Sequence, residues 1–159
     1  MRVGAVHSAA LTADGRVYTW GLNGVHQLRG GVALGAAVNR PIAVPLSAPI
    51  LDLACGDFHC LALAGDGRVF AWGGNFQGQV GEGNTSDFVA APVEVTGPHW
   101  SRRVLGIAAG GSHSLAYDLA GNVWAWGQNT SGQLGDTSAS IVLRGLPVQV
   151  PGVNPLQGL

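Results

Sequence analysis

The stretch AWGGNFQGQVGEG, residues 71–83, carries five glycines and reads at first as a loop that could cradle a phosphate. A phosphate site is needed once, however, and this loop is made three times. A phosphate-binding loop of the Gly-Lys-Ser/Thr type also requires a lysine, and the chain has none. The glycines and asparagines are therefore read as turn chemistry, supplying left-handed conformations that other side chains resist.

The three copies are GAVHSAALTADGRVYTWGLNGVHQL, GDFHCLALAGDGRVFAWGGNFQGQV and GGSHSLAYDLAGNVWAWGQNTSGQL. Gly4, Gly56 and Gly110 align, as do His7, His59 and His113, then Trp20, Trp72 and Trp126, Asn23, Asn75 and Asn129, and Gln27, Gln79 and Gln133, at spacings of 52 and 54 residues. Pro41, Pro92 and Pro147 open the last piece of each copy. Within a copy, short apolar runs are split by glycine turns, and Asp14-Gly15, Asp66-Gly67 and Ala120-Gly121 mark hairpins. This predicts about four strands per repeat, the proline-led piece being the outer strand, where a missing backbone donor costs nothing.

The third strand predicts how repeats pack. In VYTW, VFAW and VWAW, side chains alternate, so Val17 and Thr19, Val69 and Ala71, Val123 and Ala125 share one face and the aromatics the other. One face is bulky and the other hollow, so neighbouring sheets can stack bulky into hollow. A period near 50 with four strands per unit points to an all-β fold of β-propeller blades: three four-stranded antiparallel repeats forming a partial propeller. The repeats resemble those of the regulator of chromosome condensation family, whose signature GxxHSLALxxDGxVxxWGxNxxGQLG runs through nearly the whole chain. That resemblance implies a propeller, seven-bladed in typical members, acting as an interaction platform, and one member is an exchange factor for a small GTPase. Repeat 1 departs from the signature with His26 and Arg29 in place of glycine, which predicts a locally altered turn.

The blades are expected at about residues 1–48, 49–102 and 103–153, with a tail over 154–159. Three blades are fewer than the four to eight of closed propellers. Completion is expected by head-to-tail association with a second copy, the tail supplying part of the next chain's innermost strand, or by blades of a longer chain. The alternatives are a loop-based exchange or inhibitory binding to a partner protein, and a structural repeat fragment with no ligand of its own.

Net charge is −1 and the eight arginines are scattered except for Arg102 and Arg103, which argues against nucleic-acid or anionic-membrane partners. No apolar run spans a bilayer, and the N-terminal stretch makes a poor signal peptide, so a soluble intracellular protein is the default. On that basis Cys55 and Cys60 are read as free buried thiols in preference to a cross-strand pair around the turn, and their spacing matches no zinc motif.

No cofactor, metal or catalytic role is assigned. His7, His59 and His113 would lie on a common circle about a propeller axis, but repeat consensus explains the spacing equally well, and buried, satisfied histidines are the ordinary case. Ser112 and His113 are neighbours on one strand and face opposite ways, and Asp14, Asp66, Asp52, Asp57, Glu82 and Glu94 form no evident pair. The non-repeated insert TGPHWSRRV, 96–104, offers Trp100, Arg102 and Arg103 as candidate partner-binding residues, with a connection tucked against its own blade as the alternative.

Overall fold

In the computed structural model, which describes residues 1–29, 31–100, 103–137 and 140–156, the chain reverses at each of the three hairpin signals. Gly15, Gly67 and Gly121 sit at φ +80°, +84° and +82°, conformations open to glycine but costly for a side chain. The strands are β1 (Arg2–Val3), β2 (His7–Leu11), β3 (Val17–Leu22), β4 (Ala37–Ala43), β5 (Ile50–Cys55), β6 (His59–Ala64), β7 (Val69–Asn75), β8 (Ser86–Glu94), β9 (Val104–Ala109), β10 (His113–Asp118), β11 (Val123–Gln128) and β12 (Leu143–Val150). Each consecutive set of four makes one antiparallel sheet in chain order, so every blade is built from one continuous segment. No helix among the described residues is long and apolar enough to cross a membrane.

The outer strands start earlier than the prolines suggest. β4, β8 and β12 begin four to six residues before Pro41, Pro92 and Pro147. The pairing register jumps from Thr19 to Gly21, from Ala71 to Gly73 and from Ala125 to Gly127. Each jump skips Trp20, Trp72 or Trp126 on the third strand, and the matching gap on the outer strand contains the proline. A bulge already lacks the ladder bond that proline cannot donate, so the strand runs through it.

The two faces of each sheet pack as their alternation requires. Phe70 and Trp72 of the second blade lie in a cluster with Ala9 and Val17 of the first. Trp124 and Trp126 of the third lie with Leu61, Leu63, Val69 and Ala71 of the second. Trp72 and Trp126 are fully buried, each worth up to about 4–6 kcal/mol of apolar transfer before entropy is subtracted. Trp20, equivalent in sequence, is only half-buried, because its face has no neighbouring blade.

One local expectation is corrected and another holds in part. Cys55 and Cys60 are not free thiols but a disulfide. They are register partners across β5 and β6, with Cα atoms 4.1 Å apart, so the Gly56–His59 turn brings the two sulfurs together. The altered turn expected of repeat 1 is present at Arg29, which lacks the positive φ that Gly81 and Gly135 adopt at +84° and +62°, whereas His26 keeps the left-handed geometry, its φ of +57° following the +75° of Gly78 and +72° of Gly132. Its ring lies 4.4 Å from Phe88 of the next blade, a contact that helps hold a conformation most side chains avoid.

Candidate functional site

The repeated polar residues meet at the seams between blades. At the second seam, Trp126 Nε1 donates to the Gln79 carbonyl at 2.8 Å, and Ser114 Oγ donates to the same carbonyl at 2.8 Å. His59 Nε2 lies 2.9 Å from Ser114 Oγ. With its proton committed to Gln79, the hydroxyl accepts from His59, so the imidazole carries hydrogen on Nε2 and its buried Nδ1 is left as a bare acceptor without a partner. Burial pushes the His59 pKa down to about 3, with further lowering from His7 and His113. A backbone bond runs alongside each seam, from Ala5 N to the Asp57 carbonyl at 3.2 Å at the first and from Asp57 N to the Gly111 carbonyl at 3.0 Å at the second.

The first seam repeats the pattern with one change. Trp72 Nε1 donates to the Gln27 carbonyl at 3.0 Å, and His7 Nε2 lies 3.2 Å from Cys60 Sγ, the position that Ser114 holds one blade later. Burial lowers the His7 pKa to about 4. The glycine three residues before each histidine is required by the same geometry. A Cβ on Gly56 would collide with the His59 imidazole and with the Gly110 carbonyl of the next blade.

The glycine-rich loop that follows β7 is built to present those carbonyls. Asn75 Oδ1 accepts from Val80 N at 3.1 Å, and Gln79 Oε1 accepts from Gln77 N at 2.9 Å. Asn23 and Gln27 make the same bonds to Leu28 N and Val25 N, and Asn129 and Gln133 to Leu134 N and Ser131 N. The side chains stand in for backbone partners that an irregular loop lacks, which holds the Gln27 and Gln79 carbonyls toward the next blade's tryptophan.

Both ends of the stack carry unmatched halves of this clasp. The first blade presents the Ala5 carbonyl, Ser8 Oγ and Trp20 Nε1. The third presents Gly111 N, His113 Nε2 and the Gln133 carbonyl. None of these six groups has its seam partner among the described residues, and His113 is half-buried where His59 is fully buried. The third blade's outward hollow face forms a cleft of about 370 Å³ that includes Leu115, Tyr117, Val123 and Pro155. Leu61, Leu63 and Val69 occupy the corresponding positions on the second blade and receive tryptophan there.

Of the insert residues, Trp100 packs edge-on against Trp124 and Trp126, with ring centroids 5.7 and 5.5 Å apart, so its ring serves the second seam. The Arg103 carbonyl accepts from Leu119 N at 2.9 Å. Arg102 lies outside the described residues, as do the tail positions 157–159. The described tail folds back on its own blade, with Asn154 over Gly121 and Pro155 at the cleft. Sequence reasoning named the recurrent His and Trp but not Ser114 or the seam role of Cys60, and it missed the pairing, since the main acceptor is a backbone carbonyl 45 to 47 residues away. The usable signal was the joint recurrence of Trp with Gln and of His with Ser or Cys.

Stacked four-stranded sheets clasped in this way define β-propeller blades. The chain belongs to the regulator of chromosome condensation (RCC1) repeat family, whose model matches residues 14–63, 66–117 and 120–157. It is 36% identical over 152 residues to the human probable E3 ubiquitin-protein ligase HERC6, covering 92% of this chain and 14% of that protein. It is 35% identical over 134 residues to mouse protein RCC2, covering 84% of this chain and 25% of the relative. Among solved structures, human WBSCR16 superposes with a TM-score of 0.82 at 26% identity, over 94% of this chain and 36% of that one. Saccharomyces cerevisiae Prp20p, described with its binding to Gsp1p and histones, superposes with a TM-score of 0.81 at 24% identity, over 93% and 37%. The chain thus spans a quarter or less of those two curated relatives and little over a third of those solved chains.

Proposed function

We propose that this chain is a non-catalytic propeller segment for protein interaction, whose open ends are closed head to tail by a second copy to give a six-bladed ring. The observation that carries the reading is the match between the ends. His113 would reach Ser8 of the next chain as His59 reaches Ser114, Trp20 would donate to Gln133 as Trp126 does to Gln79, and Tyr18 and Trp20 would enter the hollow beside Leu115 and Val123. β1 pairs with β2 only at Arg2–Ala9 and Val3–Ser8, so β2 runs on to Leu11 with an open inner edge, where a strand from another chain can add. Twofold closure satisfies both ends at once. The recurrent polar side chains are committed to seams and loops, which supports a binding role over a catalytic one. Protein binding is also what is described for Prp20p with Gsp1p and histones.

Size-exclusion chromatography with light scattering tests the reading. The expected mass is twice the 16.2 kDa of one chain, falling to one chain in Trp20→Glu with the circular-dichroism spectrum of the sheets retained. A folded native chain that stays monomeric at high micromolar concentration overturns self-closure and leaves blades of a longer chain as the source of completion.

A further inference from the structure

The first seam holds a cluster that the second does not. A ring nitrogen of His7, Cys55 Sγ and Cys60 Sγ all lie within 4.8 Å of one another, and His7 Nε2 is 3.2 Å from Cys60 Sγ. His7 and Cys60 are buried and Cys55 is half-buried, so the cluster opens to solvent on one side. The matching positions at the second seam are His59, Ala109 and Ser114, and there His59 Nε2 reaches the Ser114 hydroxyl at 2.9 Å. Each seam therefore aims its histidine at the residue that follows the next blade's histidine, and at the first seam it meets the Cys60 sulfur instead of a hydroxyl.

In the oxidised chain the two sulfurs are bonded to each other and are poor ligands. A dithiol reductant reverses this: two electrons and two protons pass to the protein, the Cys55–Cys60 bond breaks into two thiols, and the reductant leaves as its own disulfide. Tetrahedral zinc with bonds of about 2.3 Å to sulfur and 2.0–2.1 Å to nitrogen needs donor atoms about 3.5–3.8 Å apart. His7 Nε2 and Cys60 Sγ, at 3.2 Å, are already close to that edge, and the 4.8 Å bound holds for Cys55 as well. Only the two sulfurs must part, by side-chain rotation on strands that the ladder holds in place.

We propose that the reduced chain binds one thiophilic divalent cation of the zinc type through His7 Nε2, Cys55 Sγ and Cys60 Sγ, with water in the fourth position on the open side. Two thiols lose their protons on binding, and the two thiolates neutralise the cation. Disulfide and metal then exclude each other, and the first seam reports the thiol redox state as metal-bound or metal-free.

The test uses the full chain, oxidised or reduced with a phosphine, and titrates zinc(II) against a chromophoric chelator. The expected result is one equivalent bound by the reduced chain and none by the oxidised one. Cys60→Ser, which places the serine of the sister repeats, and His7→Gln should each weaken binding by more than the roughly 10- to 100-fold typical of losing an outer-shell partner. His99→Gln, at an exposed histidine away from the seams, should leave it unchanged. No binding by the reduced chain, equal binding by the oxidised chain, or undiminished binding in His7→Gln overturns the proposal. If His7→Gln does not fold, cobalt(II) added to the native reduced chain decides. Tetrahedral d–d bands with thiolate charge transfer support the site, and a six-coordinate spectrum overturns it.

Discussion

Protonating His59 should unlatch the second seam, and its size follows from the structure. The ring is fully buried, Nε2 is committed to Ser114, and Nδ1 faces no acceptor, so a second proton places an unpaired charge between two sheets. Its folded pKa is about 3, below the ordinary histidine value of about 6.5 that applies when unfolded. Between those values the unfolded chain binds more protons than the folded one, so stability is fully present above about pH 6.5 and is lost as pH falls toward 3. The slope approaches about 1.4 kcal/mol per pH unit, and about 2.7 kcal/mol is lost by about pH 4.5. His7, with a pKa of about 4, adds loss in the same direction. The exposed Asp14 and Asp66 carboxyls are held below their ordinary value chiefly by hydrogen bonds from Thr12 and from the Arg68 backbone. Urea unfolding of the native chain and of His59→Gln across this range isolates the effect. Glutamine keeps a donor near the Nε2 position but does not titrate, so the gap between the two curves should narrow by about 2.7 kcal/mol from neutral pH to about 4.5. Parallel curves would show that His59 protonation does not drive the loss of stability.

Trp72→Ala should cost about 3–5 kcal/mol in chemical unfolding of the chain, whereas Trp20→Ala, half-buried at the open face, should cost less in folding and act mainly on association seen by light scattering. Ser114→Ala removes the group between His59 and the Gln79 carbonyl and should destabilise by about 1–3 kcal/mol, read from the urea midpoint. Asn75→Ala strands the buried Val80 amide, with an expected loss of about 1–3 kcal/mol and faster amide exchange at Val80 in NMR. Gly56→Ala forces the His59 ring and the Gly110 carbonyl apart and should lower the midpoint by about 1–3 kcal/mol or prevent folding.

The sequence alone determined the strands, the period and the packing faces. Those depend on local rules, alternation in VFAW and glycine at Gly67, that act within a few residues and recur at each blade. It also singled out His59, Trp72, Asn75 and Gln79 as a recurring set, because a shared structural duty repeats them at one spacing, but it passed over Ser114. Tertiary structure alone decided what those residues touch. The Trp126 to Gln79 bond joins a side chain to a backbone carbonyl across a seam, and no residue type encodes which carbonyl will be free. The cysteine pairing was settled the same way: five residues of spacing fit free thiols or a disulfide, and only the register of β5 on β6 sets Cys55 opposite Cys60. The bulges at Trp20, Trp72 and Trp126 likewise let strands run through prolines, because a hydrogen-bond gap exists only once two strands are laid side by side.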